Sequence, residues 1–358
     1  MKPVLTVRRS SLALMASLVL NPGGAATQPV VSNAPPVTLT VLPKETGGHR
    51  TESHVNETKI SMVLRPIAQK STPEASTSPI DTKIEVVEGT TYDDRIDAVS
   101  ADGVSFTRRM VRWVAGGSFS KDTGITERRP LLDTNDPQVR RAAESDPKMS
   151  VALHTLEIIE MNADGSMRRY KANGPNAAIN SALQTIAEHR MENGEALLPD
   201  HPVRINETWP MGTLENADPR FGRLTRDIEG KLVSVVTGGL PGLAPNEMAA
   251  VIEVRGTNLQ HRFDEDSQIK RVGATSRVAA YEEKGTIVYS IERREVVTDT
   301  RRFVGTIEIF VPADKPDAKV SGITMTVVYD LRASGGRGTI EQVRTNLGLA
   351  PLSGARNK

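Results

Sequence analysis

Residues able to do chemistry are thinly spread along this chain. The six histidines, His49, His54, His154, His189, His201 and His261, include no pair at the i, i+4 spacing that brings two imidazoles onto one helix face for zinc. His49 and His54 are five apart, which on a strand turns them to opposite sides. His154 falls on an apolar strand face and reads as an interior or edge histidine. Asp264, Glu265 and Asp266 form the densest acidic cluster. They lack the alternating oxygen ligands and central glycine of a calcium loop, so they read as a solvated turn, and Asp93-Asp94 carries even less weight as a metal site. A serine hydrolase carries its nucleophile on a strained Gly-x-Ser-x-Gly turn. Gly117-Ser118-Phe119 and Ser321-Gly322 lack the second glycine at that offset.

Gly335-Gly336-Arg337-Gly338 follows a strand and precedes a helix, a place where anions bind, but it has no P-loop lysine and reads as a turn. Arg108, Arg109 and Arg112 surround Trp113, and Arg301-Arg302 precede Phe303. Basic residues among aromatics suit single-stranded nucleic acid. With 45 basic and 44 acidic side chains and a formal charge of +1, strand-face arginines paired with glutamates are the plainer account. No catalytic, cofactor-binding or metal residue is singled out, no cofactor is expected, and the ligand-binding residues are unknown at this level. Among 44 acids a dispersed catalytic pair stays open.

Aromatics make up 4% of the 358 residues, so a core must rest on Val, Ile, Leu, Met and Ala. Cysteine is absent, which excludes disulfides, thiolate metal sites, a cysteine nucleophile and a thiol-linked lipid anchor. Lys2, Arg8 and Arg9 precede the apolar run Leu12 to Leu20; Asn21-Pro22-Gly23-Gly24 breaks it and Ala25 and Ala26 follow. That is the layout of a secretory signal over residues 1–26, and its nine-residue apolar run is too short to span a bilayer, which takes about 20 residues. The expected location is periplasmic or secreted, with no membrane span in the mature chain. Asn56-Glu57-Thr58 and Asn206-Glu207-Thr208 match the glycosylation sequon, by chance in a bacterial protein.

The elements that must position any site are mostly strands. Ile287, Tyr289 and Ile291, then Ile307, Ile309 and Val311, then Ile323 to Leu331 alternate with polar or smaller neighbours. This period of two predicts an antiparallel meander over Val278–Leu331 whose odd-numbered residues face the core, with turns at Glu283-Lys284-Gly285 and Pro312 to Pro316. Further strands are expected at Val37–Val41, Lys59–Leu64, Thr82–Val87, Tyr92–Val99, Val104–Val114 (a hairpin through Asp102-Gly103), Ser150–Met161, Met167–Lys171 and Ala250–Phe263. The parity slip between Leu153 and Leu156 suggests a bulge. Gly222–Val236 fits helix or strand. Pro66–Pro79 and Gly116–Lys148 read as long polar insertions.

One clear helix is capped by Asn176, carries Ile179, Leu183 and Ile186, and stops before Gly194. A short terminal helix is opened by Gly335-Gly336, with Thr339 and Gln342 at capping-box spacing. The organisation read from these signals is a signal peptide 1–26, a lead-in 27–36, a β-rich region with one helix over 37–197, a β-meander region over 198–334, and a short helix and tail over 335–358. The fold class is mainly β (α+β): antiparallel curved sheets or half-barrels with one principal helix packed on them.

Leu198-Pro199-Asp200-His201-Pro202-Val203-Arg204-Ile205-Asn206-Glu207-Thr208-Trp209 is the most distinctive run. It resembles a segment of a group of exported, β-rich bacterial proteins of unknown function, in which a Pro-Val pair, a tight turn and an acidic/Ser/Thr–Trp ending precede a strand-rich C-terminal half. Asn206 stands where that pattern has glycine, and asparagine also tolerates a left-handed backbone. On this resemblance Trp209 is a core anchor whose indole N–H finds a partner. The overall plan also resembles lipoprotein-carrier half-barrels. The expected function is an exported, non-enzymatic protein that binds a lipid or another envelope component. The alternatives are a cell-surface structural or protein-interaction module, and a hydrolase with dispersed carboxylates.

Overall fold

The structure, a computed structural model, describes residues 35–41, 46–66, 80–122, 125–134, 136–145, 152–218, 222–264, 267–312, 321–337 and 339–346. The expected signal peptide, most of the lead-in, the stretch 67–79, the turn residues 313–316 and the tail from 347 lie outside them. In chain order the elements are β1 (His49–Pro66), β2 (Ile80–Val99), β3 (Val104–Asp122), β4 (Ile125–Asp133), α1 (Pro137–Ser145), β5 (Leu156–Asn162), β6 (Met167–Asn173), α2 (Ala177–Glu192) and β7 (Thr208–Asp218). There follow β8 (Gly222–Thr237), β9 (Met248–Arg262), α3 (Gln268–Arg271), β10 (Thr275–Ser290), β11 (Glu295–Val311), β12 (Ser321–Arg337) and α4 (Ile340–Asn346).

The twelve strands form one open, curved antiparallel sheet in the order β6-β5-β3-β2-β1-β12-β11-β10-β9-β8-β7, with β4 on the remaining outer edge of β3. Because β1 pairs with β12, strands from both halves of the sequence share this sheet. Side-chain alternation sets its two faces. On β11 Asp299, Arg301, Phe303, Ile307 and Ile309 are buried while Arg302 is exposed. The register carries that buried row to Met325 and Leu331, to Ile60 and Leu64, and on the other side to Ile287, Ile252 and Leu232. The odd-numbered residues of the meander supply its core from Glu283 through Leu331 as the alternation predicts, with Ile323 exposed, whereas the bulge at residues 278–280 reverses the parity at the start of β10.

The sheet curls toward this row, because segments lying over it tie the two edges together at one end. Leu198 N donates to Asp164 O at 2.8 Å and Val41 N donates to Ala163 O at 2.9 Å, both in the β5–β6 turn. Thr213 N and Ala196 N connect residues 193–196 to β7, and Val37 bridges Val203. Residues 35–41 and 193–206 therefore cover edges that would otherwise invite pairing with another chain. Leu39, Leu198, Val203, Trp209, Leu232, Ile252 and Ile287 pack beneath them as the largest core cluster. Burial of each large side chain there contributes about 1.5–3 kcal/mol. At the opposite end Phe263, Ile307, Ile309 and Met325 pack near α3. The inner row is the protein's interior.

Both helix predictions locate real helices. The Asn176 side chain accepts from the Ala178 and Ile179 amides, and Gly194 takes a positive φ of +61° past the helix end. Of this helix only Ala187 is fully buried, because α2 lies on the short edge strand β6, against Tyr170 and Ile159. In α4 the Thr339 and Gln342 caps are reciprocal, and Ile340 and Val343 pack on the outer face with Val55. Gly89 makes room for this helix: a Cβ there would sit 2.6 Å from Ile340 Cγ2.

Several expected boundaries are corrected. Glu283-Lys284-Gly285 is not a turn, since β10 runs straight through it; the reversal comes at residues 291–294. Val37–Val41 forms a single bridge, because its residues serve as a cover and not as a sheet strand. Thr82–Val87 and Tyr92–Val99 are one strand, and Lys59–Leu64 is the end of a longer one. Gly116–Lys148 is no insertion without structure: β3 continues through Asp122, and β4 and α1 follow. Its backbone satisfies its hydrogen bonds in a ladder, which low apolar content does not forbid. The slip before Leu156 is a turn at residues 153–154. Gly222–Val236 is strand, and Gly335 and Gly336 end β12 instead of opening a helix.

Candidate functional site

The inner face of β1, read from the Pro66 end, carries Leu64, Met62 and Ile60, then Thr58 and Asn56, then His54, Glu52 and Arg50. One wall of the interior therefore changes from aliphatic to ionic along its length. The aliphatic half continues sideways through Ile84 and Val86 on β2 and through Val327 and Ile323 on β12. These side chains are only half-buried, and Ile323 is 39% exposed.

The ionic half is a belt across five strands. Arg50 Nε lies 3.1 Å from Glu52 Oε1 and 3.4 Å from Asp94 Oδ2. Asp94, 1% exposed, accepts two 2.8 Å bonds from Arg109 Nε and Nη2, a bidentate pair. The Arg109 guanidinium stacks 4.5 Å from the centroid of the Tyr92 ring, which His54 meets edge-on at 5.4 Å. Next along the row, burial pushes the Glu157 carboxyl up against the pull of Arg109. Burial also pushes the Tyr92 and Tyr170 phenols well above their usual range, with the Glu157 charge adding to it.

Glu52 and Glu295 form the belt's carboxyl pair, and their environments drive them apart. Burial raises Glu52, but His54, 3.6 Å away, and Arg50 outweigh it and hold that carboxyl well below the usual range. Burial first and the Glu52 charge second push Glu295 up to about 7, against Arg293 at 2.9 Å. Such a pair is what a hydrolase with dispersed carboxylates requires, but Glu52 is 4% exposed and walled by Arg50 and His54. Its physical consequence is a pH dependence. Glu295 takes up its proton near 4.5 when unfolded and near 7 when folded, so its stabilisation is complete below pH 4.5 and is lost as pH rises through about 7. Glu52 acts oppositely, its stabilisation being lost as pH falls below 4.5. Urea midpoints at pH 5 and pH 8 test this: the wild-type midpoint is expected to drop toward pH 8 by more than that of Glu295→Gln. Equal drops in the two proteins would exclude the shifted carboxyl.

A second buried ionic group lies lower on the inner face. Arg226 Nε and Nη2 donate to Glu283, the Tyr281 hydroxyl donates to Glu283 Oε2 at 2.9 Å, and Arg226 Nη1 donates to Asn216. The Arg226 guanidinium lies 5.2 Å from the Phe303 ring centroid. Gly256 leaves the space, since a Cβ there would overlap the Tyr281 hydroxyl and Glu283 Oε2. Asp299 and Arg301 pair at 3.2 Å beside them, with burial pushing the Asp299 carboxyl up.

The residues singled out in the sequence are scattered by the fold. Arg109 enters the belt, while Arg108 and Arg112 point outward; the partners of all three are Asp94, Asp97 and Asp93, not glutamates. Arg301 is buried and Arg302 is outside on Asp330. Asp264 is held by Arg223, and Glu265 and Asp266 lie outside the described residues. His154 is not on a strand face: it takes φ +56° in a turn and meets Glu144 at 3.0 Å. His201 bridges Asp200 and Glu207. No group of three or more His, Asp or Glu suited to a metal ion occurs among the described residues. Asn206 has φ +74°, the left-handed turn expected of it, and Trp209 is buried in the core, but its indole N–H has no hydrogen-bond partner. Sequence reading missed Glu52, Asp94, Glu283 and Glu295. Their signal was a charged residue at a core-parity position, which only the strand register identifies.

No described helix is long and apolar enough to cross a membrane. No protein-family model matches the chain, and no curated protein matches it in sequence. Among solved structures, a lipovitellin structure described by its lipid–protein interactions aligns over 82% of this chain at 8% identity and a TM-score of 0.32, and the chain spans 26% of that protein. The outer membrane protein OprG from Pseudomonas aeruginosa aligns over 82% of this chain and 100% of its own at 7% identity and a TM-score of 0.16. Likenesses this shallow decide nothing about what the chain does, which rests on its own geometry.

Proposed function

We propose that this is an exported, non-enzymatic binding protein that holds an amphiphile with an acyl chain, a lipid or related envelope component, inside its curled sheet. The supporting observation is the inner wall of β1, β2 and β12. There half-buried Ile60, Met62, Leu64, Ile84, Val86 and Val327 form an aliphatic strip that meets Thr58 and Asn56 and then the ionic belt. An acyl chain on the strip gains about 0.8 kcal/mol per buried methylene, and its polar head lies toward the belt, where donors and acceptors abound. The secretory-signal layout of residues 1–26 supports a location in the periplasm or outside the cell.

The test is lipid extraction and mass spectrometry of purified full-length protein, beside an Ile60→Glu variant. Ile60 pairs with Ile84 and Tyr329 at the middle of the strip. A carboxylate there costs an apolar ligand at least about 1.4 kcal/mol, a tenfold loss of bound lipid. Ile60 is not fully buried, so circular dichroism of the variant is expected to match wild type. A wild-type protein that is consistently empty, or a variant that retains its lipid, sinks the proposal. Capture of a stable envelope protein by an empty wild type would favour the interaction-module alternative.

A further inference from the structure

The outer face of the same strands carries a second feature, which meets the ionic belt at Arg50 and Asp94. Where β1, β2, β3 and β5 adjoin, a depression of about 410 Å³ is lined mainly by outer-face residues, among them Asp93, Arg95, Arg108 and Arg112, and it reaches those two belt residues. Arg95 and Arg108 are direct cross-strand partners. Like charges so placed repel. The bulge between Ile96 and Ala98 relieves this by bringing Asp97 to both. Arg108 grips Asp97 through Nε at 2.6 Å and Nη2 at 2.7 Å, and Arg95 Nε stands 3.3 Å from it. On the other side Arg112 Nε donates to Asp93 Oδ2 at 2.6 Å, and Thr51 donates to Asp93 Oδ1 at 2.9 Å.

Three guanidinium groups thus share two carboxylates, and Arg50 at the rim is offset by Asp94 at 3.4 Å, which leaves one positive charge, with His49 beside it. The carboxylates occupy mainly the Nε edges. Arginine has five N–H donors in a fixed fork, so the Nη groups of Arg95 and Arg112 stay available, and these two side chains are 55% and 52% exposed. Met110 and Leu156 contribute apolar surface beside them, which lowers the local dielectric and strengthens any ion pair formed there.

We propose that this depression binds a phosphate-bearing anion, with Arg95 and Arg112 as its ligands and Arg108, held by Asp97, adding its charge beside them. A phosphate group carries up to two charges and presents several acceptor oxygens, matching a convergent set of forks better than a single planar carboxylate. Free phosphate esters and phospholipid headgroups share this chemistry. Arg95, Arg108 and Arg112 lie on the opposite face of the sheet from the aliphatic strip and share no residue with it, so the site is tested independently of the acyl-chain proposal.

Calorimetric titration of the full chain with inorganic phosphate and with glycerol phosphate is one arm of the test. Flotation with phosphatidylglycerol vesicles, against phosphatidylcholine vesicles, is the other. Binding is expected to weaken at least about tenfold in Arg95→Gln/Arg112→Gln and to weaken with added salt. Arg112→Lys, which keeps the charge but loses the fork, is expected between the two. Both side chains are more than half exposed, so unchanged circular dichroism is expected, and the single Arg112→Gln protein supplies the comparison should the double variant fold poorly. Phosphate binding without flotation identifies a soluble anion. Flotation on phosphatidylglycerol that phosphate competes away identifies a headgroup. Absence of both, or equal binding by the variants, overturns the proposal.

Discussion

Glu283→Ala is expected to lose about 3–5 kcal/mol of stability, read from urea unfolding, although the residue is a glutamate in a strand. Glu283 is 4% exposed and Arg226 is 5% exposed, so the substitution strands a guanidinium in the interior and removes the acceptor of the Tyr281 hydroxyl. Most of that loss is the cost of an uncompensated buried charge, not the net worth of the pair. The double variant Glu283→Ala/Arg226→Met is therefore expected to recover most of what the single change removes. Methionine fills the arginine stem's volume and can lie against Phe303 as the guanidinium does. A double variant no more stable than Glu283→Ala would show that the pair is held by something other than charge compensation.

The same residues show how far the sequence could be read. Its alternation was sufficient to predict antiparallel β structure and the core parity of Ile287, Tyr289, Ile307, Ile309 and Met325, because burial on one face imposes a period of two. Caps were legible for a similarly local reason: Asn176 and Thr339 satisfy amides within three residues of themselves. The inner ionic groups were not legible. Glu52, Asp94, Glu283 and Asp299 sit at core parity, yet a charged residue in a strand reads as solvent-facing until a partner is placed beside it. Those partners are set by long-range register: Arg109 reaches Asp94 across the β2–β3 hairpin, and Arg226 reaches Glu283 across β9.

Sheet closure was likewise out of reach. The hydrogen bonds that tie the edges run from Val41 to Ala163 and from Leu198 to Asp164, and neither the strand-like alternation of Val37–Val41 nor the turn at Ala163-Asp164 names its distant partner. The two proposed binding features follow from the same distinction. The aliphatic strip is a local pattern on β1 and β2, visible in Ile60, Met62, Ile84 and Val86 once parity is known. The arginine depression depends on a one-residue bulge at Asp97, which brings a carboxylate to two arginines that straight pairing would set against each other.

Gly285→Ala is expected to be the most damaging single methyl addition in the meander, at roughly 3 kcal/mol or more, beyond the usual 1–3 kcal/mol of overpacking. In sequence, Glu283-Lys284-Gly285 resembles a turn because glycine commonly supplies one. In the fold Gly285 is an interior strand residue between Val254 and Arg301, and its φ is not in the left-handed region, so conformational freedom is not the reason for glycine here. Space is the reason. A Cβ at this position would lie far inside van der Waals contact with the Thr300 carbonyl oxygen and 2.9 Å from Arg301 Cγ. The first obstacle is backbone of a paired strand, which cannot swing aside without breaking the ladder, and the second is the stem of a buried arginine held by Asp299. Gly336→Ala is the matched control: its Cβ would meet only Val343 Cγ2, at 3.8 Å, so a change within about 0.5 kcal/mol is expected there. Urea midpoints of the two alanine variants, measured side by side, are expected to differ by most of the Gly285 penalty. If Gly285→Ala instead unfolds at the wild-type midpoint, β10 and β11 do not approach this closely, and the buried Asp299–Arg301 pair beside them loses the confinement that holds its geometry.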